Sequence, residues 1–170
     1  MERSDIINTL IEKYKYSSYL EIGYGNGYTF GKIDASTKVG VDGGNGTPAG
    51  DSVVIRLRSD DYFKMLREGG SVVMHDCSPP NEYFQERSQS THCTGWTGDV
   101  WKAFVKFRAT RSDLEMCVVD TDYGCGIVRV GTQETLDIDT EKDLTYNNLE
   151  ENRTLWLNLI HPDEFLRKYQ

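Results

Sequence analysis

The sequence predicts one α/β domain built on a mostly parallel sheet, and three observations carry that prediction. Short apolar runs alternate with helix-period segments along the first half of the chain, a glycine-rich bend follows the first of those runs, and two later runs are separated only by a tight turn. Alternating strands and helices place the helices on the faces of a parallel sheet. A tight connection makes its two strands antiparallel neighbours. A length of 170 residues suits one buried core, so 1–170 reads as a single domain.

Ile6, Ile7, Leu10 and Ile11 recur on one side of a first helix, for which Ser4 is the expected cap; the helix should end near Tyr14–Ser18. Residues 19–22 form a buried strand that runs into Gly23-Tyr24-Gly25-Asn26-Gly27. After a brief connection come a strand over 38–42 and a third over 52–57, then a short helix from Ser59 to about Leu66. Gly69-Gly70 precedes an apolar strand over 71–74 that leads to His75-Asp76-Cys77, and Ser78-Pro79-Pro80 makes the following segment irregular. The polar loop over 81–98 is long enough to cover a site. Thr97 or Asp99 caps the next helix, with Val100, Trp101, Phe104, Val105 and Phe107 on its buried side. Strands over 114–120 and 126–130 follow, and helices over about 149–160 and 162–169 complete the order, with Pro162 in a first turn.

A formal net charge of -8, with 27 acidic against 19 basic residues, repels phosphate backbones and anionic lipid, so neither nucleic acid nor membrane is an expected partner. The one modest basic set, Lys102, Lys106, Arg108 and Arg111, reads as the wet side of a helix. No stretch approaches the roughly 20 apolar residues of a membrane span, and MERSDII lacks signal-peptide order. The four cysteines lack a CxxC pair, which together with those features points to the cytoplasm.

Gly23-x-Gly25-x-Gly27 directly after a strand lets the backbone bend sharply and approach a bulky ligand, because Cβ atoms there collide or forbid the dihedrals. A nicotinamide fingerprint needs glycine at position 28 and a long helix facing a diphosphate; Tyr28 and the early next strand argue against it. S-adenosylmethionine has no diphosphate, and its cationic centres suit an acid at the loop, the role open to Glu21. Asp42 ends the next strand, where a carboxylate can accept from both ribose hydroxyls. Asp60 and Asp61 stand where an adenine amino group could be held, or simply stabilise a helix start. The plain alternative for the glycines is a tight turn, and for Glu21 a loop-organising carboxylate.

His75 and Asp76 close a strand on the side where open α/β sheets bind ligands. His75 is the candidate base for an acceptor, and Asp76 can orient it, serve as base or hold a divalent cation. Neighbouring strand residues point to opposite faces, so the two are not expected to form a dyad while both keep strand geometry. Adding His92 and Cys93 to His75 and Cys77 gives four possible zinc ligands without finger or ribbon spacing, a weaker reading than scattered polar residues. Trp101 continues an apolar helix side and reads as core, while Trp96 is either a ligand wall or a staple. Asp120 and Asp122 flank a strand end, to close an acidic pocket or cap the Tyr123-Gly124 turn.

These segments resemble the class I S-adenosylmethionine-dependent methyltransferases, and more narrowly the short bacterial group called methyltransferase domain type 24. YLEIGYGNGYTF is similar to their motif I and KVGVD to motif II; SDDYF, GGSVVMHDCSPP, WTGDVWKAFVKFRA, DLEMCVVDTDYGCGIVRVG and ENRTLWLNLI are similar to later blocks. The resemblance implies a three-layer Rossmann-like fold in which the Gly23–Gly27 loop, Tyr24 included, holds the methionine portion, Asp42 with Gly43 beside it binds ribose, and Asp60 contacts adenine. It leaves at most a fragment of a divalent-cation site, at Asp76. The chain departs by running from SDDYF straight to Gly69-Gly70, without an intervening strand-helix unit. Right-handed crossover then predicts a six-stranded sheet of order 3-2-1-4-6-5 with its last strand antiparallel.

Two functions compete at this level. One is a methyltransferase acting on a small-molecule or saccharide-type acceptor; the other is a non-catalytic module that binds S-adenosylmethionine or S-adenosylhomocysteine, or a protein partner. A shortened helical cover would expose apolar surface and favour a homodimer. A nucleic-acid methylase is disfavoured by the acidity and by the lack of an NPPY-like tetrapeptide.

Overall fold

The structure, a computed structural model, describes residues 1–23, 26–41, 53–54, 69–86 and 88–170. It is an α/β fold with strands in two sheets, and the chain divides into two compact units: Glu2–Gly70 with Tyr169–Gln170, and Ser71–Lys168 with Met1.

In the unit that begins at Glu2, helix α1 (Arg3–Tyr14) buries Ile6, Ile7 and Leu10. Its start differs from expectation. Ser4 lies buried inside the helix, and the Asp5 carboxylate instead accepts the Glu2 N–H at 2.8 Å, satisfying one of the amides that a helix start leaves open. Lys15 in the left-handed region ends the helix. Strands β1 (Ser18–Ile22), β2 (Thr37–Val41) and β3 (Val53–Val54) pair in parallel in the order β1-β2-β3, with Glu21 opposite Gly40 and Ile22 opposite Val41. Between β1 and β2 there is room only for the five-residue helix α2 (Tyr28–Lys32). Asn8 ties α1 to this connection by donating to the Lys32 carbonyl and accepting the Asp34 N–H, both at 2.9 Å.

The second unit is a four-stranded sheet of order β4-β6-β5-β7: β4 (Ser71–Met74), β5 (Leu114–Val119), β6 (Cys125–Val130) and β7 (Leu159–Ile160). Strand β6 is antiparallel to both of its neighbours, as the tight turn between 119 and 125 requires. Helix α3 (Val100–Thr110) lays Trp101, Phe104 and Val105 into a core shared with Cys77, Met116, Val118 and Val128, and with Leu149, Trp156 and Leu157 of α4 (Tyr146–Leu157). Asp99 occupies the position before α3 without a side-chain cap bond.

The predicted helix over 149–160 is corrected at both ends. The Thr145 hydroxyl accepts the Asn148 N–H at 3.3 Å and starts α4 earlier, and Asn158 in the left-handed region stops it, so residues 159–160 pair with β5 in parallel. Helix α5 (Pro162–Tyr169) starts on its proline as expected. Arg108 is a second correction: it is buried and donates to the Leu155 and Trp156 carbonyls and to Gln133. Among the described residues no helix is long and apolar enough to cross a membrane.

Candidate functional site

The predicted site residues fall on both units, and each unit is described by itself. At the end of β1 the backbone enters the left-handed region at Gly23, with φ +81°, and again at Gly27, with φ +74°. Among the described residues a Cβ on Gly23 would meet nothing within 4 Å, so it is the dihedral that calls for glycine there. The Asn26 carboxamide accepts the Tyr28 N–H at 3.1 Å, and the Gly27 carbonyl accepts the Gly31 N–H as α2 begins. Tyr24, Gly25, Asp42, Gly43 and Asp60 lie outside the described residues.

Glu21 is half-buried and accepts a hydrogen bond from the Tyr19 hydroxyl at 3.1 Å; the two share a face because they are two residues apart on a strand. On the opposite face Leu20 and Ile22 are exposed. Burial pushes the Glu21 carboxyl above the usual carboxylate range, against the Tyr19 hydrogen bond and the charges of Arg3 and Lys38, which pull it down. The Tyr19 phenol is driven well above its ordinary range, first by burial and then by the Glu21 charge.

A raised carboxyl binds its proton more tightly in the folded chain than in the unfolded one. Stability is therefore fullest below the ordinary value near 4.5 and falls as the pH climbs from there through the folded value. Glu21→Gln is expected to flatten that decline, which denaturant unfolding at pH 4 and pH 7 would reveal as a smaller difference between midpoints than in the wild type.

In the other unit the end of β4 meets the turn between β5 and β6. The Cys77 N–H donates to the Gly124 carbonyl at 3.0 Å and the Ser78 N–H to the Tyr123 carbonyl at 2.8 Å, while the Gly124 N–H closes the turn on Thr121. Three non-glycine residues take left-handed φ here: Asp76 at +66°, Asp122 at +48° and Tyr123 at +60°. Such a backbone costs roughly 1–3 kcal/mol per residue and persists only where surrounding contacts impose it.

The consequence corrects the expectation that His75 and Asp76 look to opposite faces. Strand β4 ends at Met74, and the left-handed turn at Asp76 brings its Oδ1 to 2.9 Å from His75 Nδ1. Asp122, from the turn, sets Oδ2 at 3.3 Å from Nε2, which is buried and lacks a partner with hydrogen-bond geometry. The imidazole is thus bracketed by two carboxylates. Sequence reasoning assigned Asp122 only to a pocket wall or a turn cap; its signal was position, at a strand end followed by Tyr-Gly in a four-residue turn.

The loop over 81–98 is folded back on itself. A 3-10 turn spans Glu82–Gln85, and the Phe84 carbonyl accepts the Thr97 and Gly98 N–H groups as well as the Thr97 hydroxyl. The Phe84 ring lies 5.7 Å from that of Tyr123, so the loop reaches the turn that carries Asp122. Trp101 is core, its indole N–H on Gln85, whereas Trp96 is about half exposed and donates to the Glu86 carbonyl. Loop and helix start enclose an open groove of about 380 Å³ lined by Glu82, Tyr83, Gln85, Glu86, Asp99 and Lys102. The zinc set is not assembled: Cys77 is buried with its thiol on the Met74 carbonyl, His92 lies against Tyr83, and no three His, Cys, Asp or Glu residues converge for a metal among the described residues.

No protein-family model matches the chain, and no curated protein matches it.

Proposed function

We propose that the chain is an S-adenosylmethionine-dependent methyltransferase with a small-molecule or saccharide-type acceptor. One observation carries the reading: a left-handed glycine bend ends a strand whose parallel neighbour is followed in the sequence by Asp42. The reading includes the finer fold, in which β4 stands beside β1 to give one sheet of order 3-2-1-4-6-5, with β7 as a further edge strand.

The bend after β1 and the Glu21 carboxylate support the cofactor reading, with Asp42 following β2 in the sequence. The bend leaves backbone free to approach the methionine portion, Glu21 offers a half-buried carboxylate one strand position before Ile22, and Asp42 would accept the ribose hydroxyls. When bound, the cofactor supplies an already activated methyl group, so the protein mainly provides proximity and orientation. His75, held through Nδ1 by Asp76, is the candidate base for the acceptor, with Asp76 the alternative base. The reading includes no divalent cation: the Asp76 carboxylate is engaged by His75, and no group of three ligand residues converges among the described residues.

A second reading is favoured by one feature. Nε2 is buried behind Asp122, as expected of a non-catalytic module that binds the cofactor without turning it over. Titration calorimetry with S-adenosylmethionine and S-adenosylhomocysteine tests both. Saturable binding is expected, weakened at least about tenfold, or about 1.4 kcal/mol, in Asp42→Ala and kept in His75→Ala. Absence of binding to the wild-type protein would overturn both cofactor readings.

A further inference from the structure

We infer that the groove between the 3-10 turn and the start of α3 binds a neutral polyhydroxylated ring of the saccharide class. This rests on the proposed function only in taking that ring for part of the acceptor; the binding itself follows from what lines the groove. Its volume of about 380 Å³ falls in the lower part of the range of small-ligand clefts, roughly 300–1,000 Å³. Both signs of charge are present: Glu82, Glu86 and Asp99 bring carboxylates and Lys102 an ammonium. The Gln85 amide oxygen accepts the Trp101 indole N–H at 3.0 Å, which leaves the amide nitrogen as a donor. Tyr83 is 46% exposed, with the centroid of its ring 5.0 Å from that of His92.

This mixture discriminates between ligands. An anion entering the groove meets three carboxylates. A cation gains from those carboxylates, but it has to share the groove with the Lys102 ammonium and gives the Gln85 amide nitrogen no acceptor. A hydroxyl both donates and accepts, so a ring bearing several of them satisfies carboxylates and donors together without desolvating a charge of its own. The C–H face of such a ring is apolar and matches the exposed part of the Tyr83 ring. The walls are also held in place before any ligand arrives, which lowers the cost of ordering them on binding. Asn81 accepts the Tyr83 N–H at 3.1 Å, the Phe84 carbonyl accepts the Thr97 and Gly98 N–H groups at 2.9 and 3.1 Å, and the Trp96 indole donates to the Glu86 carbonyl at 2.6 Å. These bonds join the turn that carries Glu82 to Glu86 to the segment that leads into Asp99. The same turn sets the Phe84 ring 5.7 Å from Tyr123, the neighbour of Asp122, on the unit that holds His75.

The test is amide chemical-shift mapping on the full chain, titrated separately with glucose, galactose and mannose, and then with glucosamine and glucose 6-phosphate as the cationic and anionic forms of the same ring. Saturable shifts centred on Tyr83 to Glu86 and Asp99 to Lys102 are expected with at least one neutral sugar, and glucose 6-phosphate should bind more weakly than glucose. Tyr83→Ala, at an exposed position, and Glu86→Gln, which keeps the backbone carbonyl that Trp96 uses, are each expected to weaken the neutral sugar at least about fivefold, with the rest of the spectrum unchanged. No saturable shift with any of the three neutral sugars, binding of glucosamine alone, or unchanged affinity in both variants would overturn the inference. Failure here with S-adenosylmethionine still bound in calorimetry removes the groove and leaves the cofactor reading; sugar binding without cofactor binding does the reverse.

Discussion

Gly124→Ala is expected to destabilise the unit that contains β4 to β7 by about 3 kcal/mol, a drop in Tm on the order of 10 °C for a chain of this size. Two effects add. The residue sits at φ +86°, which costs an alanine about 1 kcal/mol or more, and the new Cβ would stand 2.6 Å from both the Ser78 backbone nitrogen and its Cβ. Backbone cannot give way as a flexible side chain does, so the Cys77 and Ser78 hydrogen bonds to the turn must lengthen or break. Gly69→Ala is the control. That glycine has a similar φ of +82° with no described residue within 4 Å of the added carbon, and should cost only the dihedral part, about 1 kcal/mol. Thermal unfolding of the two variants side by side separates crowding from backbone strain, and equal losses would mean that the turn is not clamped to the end of β4.

The second large effect is Arg108→Ala, expected to cost about 3 kcal/mol by denaturant unfolding. The buried guanidinium donates to the Trp156 carbonyl at 3.1 Å, the Leu155 carbonyl at 3.2 Å and the Gln133 side chain at 3.1 Å, joining α3 to the last turn of α4. Burial pulls its pKa down, no carboxylate among the described residues pairs with it, and carbonyl dipoles face the charge. Arg108→Lys should rescue little, because one ammonium cannot span acceptors arranged for a planar fork. Lys106→Ala, two positions away and paired at the surface with Glu141, should change stability by less than about 1 kcal/mol.

Arg108 also shows where the sequence was mute. Spacing put it with Lys102, Lys106 and Arg111 on a wet helix side, and nothing local reveals that the α4 carbonyls come to meet it. The elements themselves were legible wherever apolar period and turn residues agreed: β1, β4, the β5–β6 pair and the Trp101-Phe104-Val105 side of α3 are found within a residue or two. The orders β1-β2-β3 and β4-β6-β5 agree with those expected from crossover and tight-turn rules, while the strands expected in one six-stranded sheet lie in two. Strand β7 was not legible, because Leu159-Ile160 continues the helical pattern of α4 until Asn158 breaks it with a left-handed residue. In the candidate site, the glycines at 23 and 27 announced their own dihedrals. The meeting of His75 with Asp76 did not, since it depends on a non-glycine residue adopting φ +66° outside a strand, and the approach of Asp122 depends on a pairing 47 positions along the chain.

The claim on which the functional reading rests is that the bend after β1 receives an adenosine-bearing ligand. Amide chemical-shift mapping during titration of the full chain with S-adenosylhomocysteine addresses it most directly. The account predicts saturable shifts concentrated at Glu21 to Tyr28, lost in Asp42→Ala. Shifts confined to the groove residues Glu82 to Lys102, or an unchanged spectrum at millimolar ligand, would contradict it.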